Sequence, residues 1–267
     1  MLQTPTILAE IFAAKRLEVE RARQKRPLEV VQEEARQALP PRDFVQGLVA
    51  HKNQLAPALI AEIKFASPSR GVLLAERDPL RLARLYRENG AAAISVLTDQ
   101  TYFHGHLDYL AQVARSTPRL PLLRKDFICD PYQVFEARAV GADAVLLIVA
   151  GLRQEHLAAL HSLVLSLGMA PLVEVHSQEE LELALSCKPR LVGINNRDLH
   201  TFQVDLETTL RMRPFVPDGV CLVSESGIHS RQDVIRLAQA GIDAILIGEA
   251  LVTAPDIAAK INSLIRN

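Results

Sequence analysis

The stretch Gly141-Ala-Asp-Ala-Val-Leu-Leu-Ile-Val149 decides the fold, and a near copy, Gly241-Ile-Asp-Ala-Ile-Leu-Ile247, follows later in the chain. Each copy begins with a glycine, which is typical of a helix end where a left-handed residue is needed. The apolar run that follows does not alternate with polar residues, as expected for a strand of a parallel sheet covered by helices. The repeated phrase therefore predicts one helix–strand unit that is used twice.

Eight short apolar runs rich in Val, Ile, Leu and Ala are distributed along the chain. They are Leu59–Ile63, Ala92–Leu97, Leu120–Leu123, Ala144–Val149, Ala170–Val175, Leu191–Ile194, Val220–Val223 and Ala244–Ile247. The segments between them carry apolar residues every three or four positions, which indicates helices. Eight strands that alternate with helices predict an α/β chain folded as a (β/α)8 TIM barrel, whose active site lies on the loops after the carboxyl ends of the strands.

The segment before the first run predicts helices of its own. A charged helix with an apolar stripe extends from Thr6 to Lys25, a second covers Glu29–Leu39, and Asp43 caps a third. We therefore divide the chain into an N-terminal helical extension, residues 1–50, packed on a catalytic barrel, residues 51–267. The extension either plugs the bottom of the barrel or covers the active site as a lid, and the sequence does not separate these alternatives.

Composition limits the classes of partner. Lys and Arg total 30 against 31 Asp and Glu, so the formal charge of -1 gives no electrostatic reason to expect nucleic acid or a membrane surface. The three cysteines, Cys129, Cys187 and Cys221, lack metal-ligand or C-x-x-C spacing, which favours reduced thiols. No apolar stretch of the sequence has the length of a membrane span. We expect a cytoplasmic protein.

Charged residues follow three of the apolar runs. Because strand side chains alternate, Glu62 and Lys64 are expected to point together into the barrel mouth, where a buried charge needs a partner. A lysine in a dehydrated pocket near another cation loses proton affinity, which would make Lys125 a general acid or a Schiff-base nucleophile. Glu174, after four apolar residues, is the natural general base.

The last three strand ends carry groups suited to binding anions. Asn195 and Arg197 together can recognise a carboxylate, although a capped turn with Arg197 paired to Asp198 is the alternative. The seventh and eighth runs end in Ser224-Glu225-Ser226-Gly227-Ile228 and Ile247-Gly248-Glu249-Ala250. Loops at these two places in barrels often form a phosphate site.

Two histidine patterns are assigned no function. His104-Gly105-His106 has a metal-like spacing but lacks an obvious carboxylate partner, so we expect a solvated loop. His176 is expected in a surface loop.

Six motifs in order resemble the indole-3-glycerol phosphate synthase family of tryptophan biosynthesis. They are Ile60-Ala-Glu-Ile-Lys-Phe-Ala-Ser-Pro-Ser-Arg-Gly71, Leu122-Leu-Arg-Lys-Asp-Phe127, Leu172-Val-Glu-Val-His176, Gly193-Ile-Asn-Asn-Arg-Asp-Leu199, Ser224-Glu-Ser-Gly-Ile228 and Ile247-Gly-Glu-Ala-Leu251. The resemblance runs from about Ile7 to the C-terminus. The chain departs from the family pattern at Phe65, where many relatives carry a basic residue, and at Glu249, which is serine in some.

The resemblance implies a carbon-carbon lyase, a carboxy-lyase whose substrate is a phosphorylated small molecule, with no metal or other cofactor; we expect a monomer. Its substrate, 1-(2-carboxyphenylamino)-1-deoxyribulose 5-phosphate, closes to an indole with loss of carbon dioxide and water. Lys125 would be the general acid of ring closure and Glu174 the base of dehydration, supported by Glu62 and Lys64, with Lys64 a possible acid in one step. The other implied positions are Asn195 and Glu225 for catalysis, and Ser67, Phe127, Arg197, Ser226, Gly227, Ile247, Gly248 and Glu249 for substrate binding, the last through its backbone.

Two other interpretations remain open at this point. One is a different phosphate-binding barrel lyase in which Lys125 forms a Schiff base. The other is a non-catalytic barrel that binds a sugar phosphate.

Overall fold

The computed structural model describes residues 6–52, 56–68, 70–199 and 201–266. Its centre is a closed barrel of parallel strands. The strands are β1 (Ala58–Ile63), β2 (Ala93–Leu97), β3 (Leu122–Lys125), β4 (Ala144–Ile148), β5 (Ala170–Val175), β6 (Leu191–Asn195), β7 (Cys221–Glu225) and β8 (Ala244–Ile247). Each strand pairs with its neighbours in chain order, and β8 pairs with β1 to close the ring. The predicted (β/α)8 TIM barrel is confirmed.

Helices precede the barrel and connect its strands. Those before the barrel are α1 (Thr6–Lys25), α2 (Leu28–Gln37) and α3 (Phe44–His51). Those after β1 are α4 (Pro79–Glu88), α5 (Leu107–Arg115), α6 (Pro131–Ala139), α7 (Gln154–Ser166), α8 (Gln178–Ser186), α9 (Glu207–Met212), α10 (Arg231–Gln239), α11 (Glu249–Val252) and α12 (Ile257–Ile265). Side-chain caps that accept a backbone N–H start many of them: Asp43, Asp78, Asp130, Ser177, Ser230 and Asp256.

Three strands end later than their apolar runs predict, and the shortest of these extensions adds Asn195 to the end of β6. The run Leu120–Leu123 becomes β3, which continues to Lys125, and the run Val220–Val223 becomes β7, which continues to Glu225. The strands continue because their polar residues find partners inside the protein. Arg124 of β3, for example, donates to Glu136 at 2.8 Å. The apolar runs therefore locate the strands but omit the polar residues at their carboxyl ends, which contribute to the site.

Alternation along each strand divides the core into two layers. In β1, Leu59, Ala61 and Ile63 belong to the apolar layer between sheet and helices. Ala58 and Ile60 belong to the layer that contains the barrel interior. Side chains two residues apart share a face, so Glu62 continues the inward series at the carboxyl end. The same alternation places the last inward positions of β3, β5, β6 and β7 at Lys125, Glu174, Asn195 and Glu225.

The repeated phrase has one structural explanation in both copies. Gly141 and Gly241 end their helices with φ of 93° and 79°, the left-handed conformation that glycine adopts without strain. The aspartate two residues later accepts a hydrogen bond from the start of the neighbouring strand. Asp143 accepts from the Leu122 N–H and Asp243 from the Leu222 N–H, each at 2.8 Å. Each copy of the repeated sequence thus ties a helix end to the amino end of a neighbouring strand.

The N-terminal helices lie at both ends of the barrel. At the amino ends of the strands, Phe44, Val45 and Leu48 of α3 join the interior apolar cluster. At the carboxyl ends, Phe12 of α1 lies so close to Gly151 that a side chain there would collide with its ring. The two alternatives from the sequence therefore apply to different helices, with α3 below and α1 above. The division into residues 1–50 and 51–267 stays a prediction.

The second helix ends earlier than predicted. It stops at Gln37 rather than Leu39, and Ala38 is already extended. Leu39 precedes Pro40, and the residue before a proline is disfavoured in a helix. Within the described ranges, the helices lack the length and apolar character that crossing a bilayer requires.

Candidate active site

A cavity of about 390 Å³ opens at the carboxyl ends of the strands. It is a small-molecule site in form, apolar for the most part with a few converging charged groups. Its wall includes every residue that the sequence predicts for the site: Glu62, Lys64, Ser67, Lys125, Phe127, Glu174, Asn195, Arg197, Glu225, Ser226, Gly227, Ile247, Gly248 and Glu249. The fold thus brings these residues together, while their individual roles stay predictions.

Lys125 contacts two carboxylates inside this cavity. Its Nζ donates a hydrogen bond to Oε2 of Glu174 at 3.2 Å and lies 3.5 Å from Oε2 of Glu225. Both glutamates are buried, and each projects inward from the carboxyl end of its strand. A proton donor and two carboxyl groups therefore meet at one point on the cavity floor.

The expected loss of proton affinity at Lys125 is wrong. Burial acts to lower the pKa of Lys125, but the attraction of Glu174, Glu225 and Glu62 outweighs it and raises the pKa above its ordinary value. The prediction assumed a neighbouring cation, whereas the groups that contact this ammonium are carboxylates. A Schiff-base nucleophile must first lose its proton. The surroundings of Lys125 therefore favour the acid over the nucleophile.

The two glutamates beside Lys125 have pKa values shifted in opposite directions. Burial alone would raise the pKa of Glu174, but Lys125 and then His176 outweigh it, so the pKa is lowered. Burial raises the pKa of Glu225 to about 8; Lys125 opposes this shift, and repulsion from Glu174 adds to it. Interacting carboxyl groups titrate as a pair. The opposite shifts favour Glu174 over Glu225 as the ionised member of the pair and therefore as the group that accepts a proton.

Glu62 and Lys64 form a second ion pair on the rim. Lys64 Nζ lies 3.7 Å from Oε1 of Glu62 and 5.4 Å from the ring centre of Phe103, a cation–π distance. The Glu62 carboxylate occupies the space that a side chain at Gly248 would need. A glycine is thus required at the start of α11 for β1 to present its glutamate.

Asn195 and Arg197 lie where β6 turns into its loop. Oδ1 of Asn195 accepts a hydrogen bond from the Arg197 N–H at 3.1 Å. The Arg197 guanidinium donates to the Phe202 carbonyl at 3.3 Å, which uses one of its five N–H groups. The amide thus shapes the turn that carries the guanidinium at the cavity wall.

The loops after β7 and β8 form the adjoining part of the cavity wall. Ser226 and Gly227 both have left-handed backbones, with φ of 68° and 78°, and a side chain on Gly227 would strike Val204. The short helix α11 begins directly after Gly248. Arg70, in the loop after the neighbouring strand β1, contacts Glu249, with 3.3 Å between Nη1 and Oε1. In TIM barrels, the loops after the seventh and eighth strands and the start of a short extra helix frequently form a phosphate site.

Sequence reasoning missed His176, which is not a surface loop residue. Its side chain is 9% exposed, with Nε2 3.4 Å from Oε1 of Glu174 and Nδ1 3.2 Å from Oε2 of Glu180. Burial lowers the pKa of His176, but the hydrogen bond with Glu180 and the charge of Glu174 outweigh it and raise the pKa. The available signal was Glu180, four residues after a histidine at a strand end.

His104 and His106 make local contacts that stabilise their own loop and the start of α5. Nδ1 of His106 accepts from the Asp108 N–H at 3.1 Å and caps α5. Nδ1 of His104 lies 2.9 Å from Nη2 of Arg77. Among the residues that the structure describes, no group of three or more His, Cys, Asp and Glu side chains is placed so that it could hold a metal ion.

Relatives of known sequence match nearly the whole chain. The family model described as indole-3-glycerol phosphate synthase matches residues 8–264. A protein of that name from Roseiflexus castenholzii is 54% identical over 266 residues, covering 97% of this chain and 98% of the relative. Those from Dehalococcoides mccartyi and a Polaromonas species are 48% and 51% identical, covering 97% and 94% of this chain and 100% and 94% of the relatives.

Solved structures support the fold at low sequence identity. The 3-hexulose-6-phosphate synthase from Salmonella typhimurium superposes with a TM-score of 0.63 at 12% identity, covering 78% of this chain and 97% of the other. A structure titled native KDPGal superposes with a TM-score of 0.58 at 13% identity, covering 78% and 92%. These two similarities show the barrel fold alone, whereas the match over residues 8–264 shows the family. The chain belongs to the indole-3-glycerol phosphate synthase family.

Proposed function

We propose that the Lys125–Glu174–Glu225 cluster performs the chemistry of indole-3-glycerol phosphate synthesis in this chain. The reaction converts 1-(2-carboxyphenylamino)-1-deoxyribulose 5-phosphate to indole-3-glycerol phosphate, carbon dioxide and water, and serves tryptophan biosynthesis. The observation that carries the assignment of roles is the contact of one buried ammonium with two buried carboxyl groups.

Lys125 is the proton donor in ring closure. The aromatic carbon that bears the carboxylate attacks the ketone carbon, and the ketone oxygen gains negative charge as the bond forms. An oxygen of this kind is far more basic than an amine, so a lysine with a raised pKa still protonates it. Carbon dioxide then leaves and restores the aromatic ring.

Glu174 is the base in the dehydration that follows. The former ketone oxygen leaves as water, and Glu174, ionised because Lys125 and His176 stabilise its charge despite burial, accepts the proton released from the intermediate. Lys64, held by Glu62 at 3.7 Å, lies on the same cavity wall and supports the departing oxygen. One of the two lysines, Lys64 or Lys125, supplies the proton with which that oxygen leaves as water.

Two anchors hold the flexible substrate. Asn195 and Arg197 bind the anthranilate carboxylate, and Phe127 packs on the aromatic part. The phosphate is held by Ser67 and by the turns after β7 and β8, the latter positions being Ser226, Gly227, Ile247, Gly248 and the Glu249 backbone. Fixing both ends brings the reacting carbons together, and oriented binding of this kind lowers the barrier by up to about 7–11 kcal/mol.

The test is turnover of the substrate, followed by indole fluorescence, in matched variants. We expect Lys125→Met and Glu174→Gln to lower kcat by about 10² to 10⁴ while leaving the fold intact, since each removes a positioned acid or base. Lys25→Met, at the exposed end of α1, is the control for loss of a lysine and should retain full kcat. Near-normal turnover by either active-site variant would refute its assigned role.

Borohydride trapping distinguishes the remaining lyase interpretation. A Schiff base at Lys125 would be reduced to a stable adduct with substrate. We expect no adduct, because the charge of Glu174, the first of the acidic groups around Lys125, keeps the amine protonated.

A further inference from the structure

Lys15 of α1 is a buried lysine that the chemistry above does not use. Its side chain is 2% exposed, and its Nζ lies 3.0 Å from Oδ2 of Asp99, 3.0 Å from Oδ1 of Asp126 and 2.8 Å from Oε2 of Glu18. Asp99 and Asp126 are themselves buried. A lysine at such a position is energetically costly unless it is paired, so its contacts with the two aspartates are structurally specific.

One of the two aspartates lines the active-site cavity, and the other belongs to a segment whose Leu97 and Phe103 line it. Asp126 follows Lys125 directly, and Asp99 lies in the loop after β2. Each also organises its own loop. Oδ1 of Asp126 accepts from the Phe127 N–H at 2.8 Å, and Oδ1 of Asp99 accepts from the Tyr102 N–H at 2.7 Å. Lys15 therefore joins the N-terminal helix to two strand ends of the barrel through one ammonium.

A second buried cation, Arg124, shares this group with Lys15. Asp126 is also bonded to Arg124, at 3.0 Å, and to Thr98, at 2.6 Å. Burial would raise the pKa of Asp126, but Lys15 and then Arg124 lower it to about 2. The two buried cations thus pair with the two buried aspartates, and each cation also contacts a less buried glutamate, Glu18 or Glu136. Asp126 would keep Arg124 if Lys15 were lost, whereas Asp99 is bound by Lys15 as its ion-pair partner.

The face of α1 that carries Lys15 also faces the cavity. Leu8 and Ile11 line the cavity and precede Lys15 by seven and four residues, a spacing that places all three on one side of a helix. The ring of Phe12 meets that of Phe127 edge to face, with 5.9 Å between centroids. The helix position that Lys15 fixes is therefore the position of an apolar wall of the substrate cavity.

We propose that Lys15 is a positioning residue that holds α1 over the barrel mouth, so that the apolar face of the helix forms part of the substrate-binding surface. The proposal rests on the function proposed above. Lys125, Glu174 and Glu225 are mounted on barrel strands and contact one another directly. Loss of Lys15 should therefore weaken substrate binding more than it slows the chemistry.

The experiment compares three variants, Lys15→Met, Lys15→Arg and Arg16→Met. The last is the control, because Arg16 is the exposed neighbour of Lys15. For each full-length variant, kcat and KM for the carboxyphenylamino-ribulose phosphate are measured, together with hydrogen exchange of backbone amides over residues 6–25. In Lys15→Met we expect KM to rise about tenfold, equivalent to about 1.4 kcal/mol of binding free energy. We expect kcat to fall by less than about threefold, because Lys125, Glu174 and Glu225 keep their contacts with one another.

Hydrogen exchange and the arginine variant separate positioning from general stability. Exchange in α1 should accelerate in Lys15→Met while the barrel helices keep their protection. Lys15→Arg, which retains a cation for both aspartates, should recover most of the KM, and Arg16→Met should behave as the wild type. An unchanged KM in Lys15→Met, or an equal rise in Arg16→Met, overturns the proposal.

A second variant covers the case in which Lys15→Met does not fold. Asp99→Asn removes one ion-pair partner and leaves Asp126 with Lys15 and Arg124. We expect a smaller rise in KM, and an unchanged KM in folded Asp99→Asn overturns the proposal. If the wild type fails to form indole in the same assay, the proposed function is wrong. An active wild type with unaffected variants contradicts the role of Lys15 alone.

Discussion

Glu225 lies where a side chain on Gly193 would have to be: a Cβ at position 193 would collide with Oε1 of the carboxyl group. Gly193 is paired across the sheet with Glu174 on one side and Val223 on the other. The bare backbone of β6 therefore leaves room for Glu225 to approach Lys125. Glycine weakens a strand interior unless a close approach requires it, and here the approaching group belongs to the active site.

Gly193→Ala should damage catalysis without disturbing the rest of the barrel. Because the added methyl group displaces Glu225, we expect kcat to fall by at least about tenfold, a part of the effect of removing a positioned group. Steady-state kinetics measures the loss. Gly47→Ala, in α3 at the other end of the barrel, is the control and should keep its kcat. Full activity in Gly193→Ala would show that the collision is relieved harmlessly.

Glu225 should make stability fall as pH rises toward the alkaline side. Its pKa is raised from 4.5 to about 8 on folding, so the folded protein holds this proton more tightly than the unfolded chain. That contribution is fully present below pH 4.5 and is lost as pH rises through about 8. Glu225→Gln does not titrate here, so its unfolding free energy should improve relative to wild type across this window.

Urea unfolding at several pH values measures that difference. Glu182→Gln, an exposed change on α8, supplies the control and should follow the wild type at every pH. A difference between Glu225→Gln and wild type that stays constant with pH would contradict the raised pKa.

His176 should set the acidic limit of activity through Glu174. The pKa of Glu174 is lowered, against burial, by Lys125 and by His176, whose Nε2 lies 3.4 Å from its carboxylate. In His176→Gln we expect the acidic limb of the kcat/KM profile to move to higher pH by about one unit. His156→Gln removes an exposed histidine and should leave the profile in place. A limb that does not move assigns His176 to packing alone.

The Arg70–Glu249 contact should weaken phosphate binding. Glu249 neutralises part of the charge of Arg70, at 3.3 Å, and its own charge repels an anion. We expect Glu249→Gln to lower KM by about two- to fivefold at low salt, within the range of exposed ion pairs, and less at high salt. Titrating substrate at two ionic strengths tests this, with exposed Glu76→Gln as the control. A higher KM in Glu249→Gln would mean that the carboxylate itself helps to hold the substrate.

Strand periodicity explains why so much of the site could be predicted from sequence. Glu62, Glu174 and Glu225 each occupy the inward position at the end of an apolar run, so a two-residue period and the barrel fold together bring them to one cavity. That argument needs local sequence and one global assumption. The assumption was correct, and the cavity contains them all.

Contacts between distant segments are what the sequence could not supply. Lys15 resembles other lysines of a charged helix, and its burial depends on Asp99 and Asp126, which the closed barrel brings to it. The sign of the Lys125 pKa shift depends in the same way on which charges contact it. Periodicity predicts which face of a strand or helix a residue occupies. It does not predict which residues from distant segments will contact it there.

The placement of α3 below the barrel and α1 above it predicts different consequences for their core residues. Leu48 of α3 is fully buried in the cluster that contains Ala58 and Ala93 at the strand starts. Leu48→Ala should lower the unfolding free energy by about 2–5 kcal/mol, measured by urea unfolding. Its kcat and KM should not change, because the cavity is at the other end. Val49→Ala, half exposed beside it, should cost less than about 0.5 kcal/mol. A raised KM in Leu48→Ala would show that the two ends of the barrel are coupled, and α3 would then share the role assigned to α1.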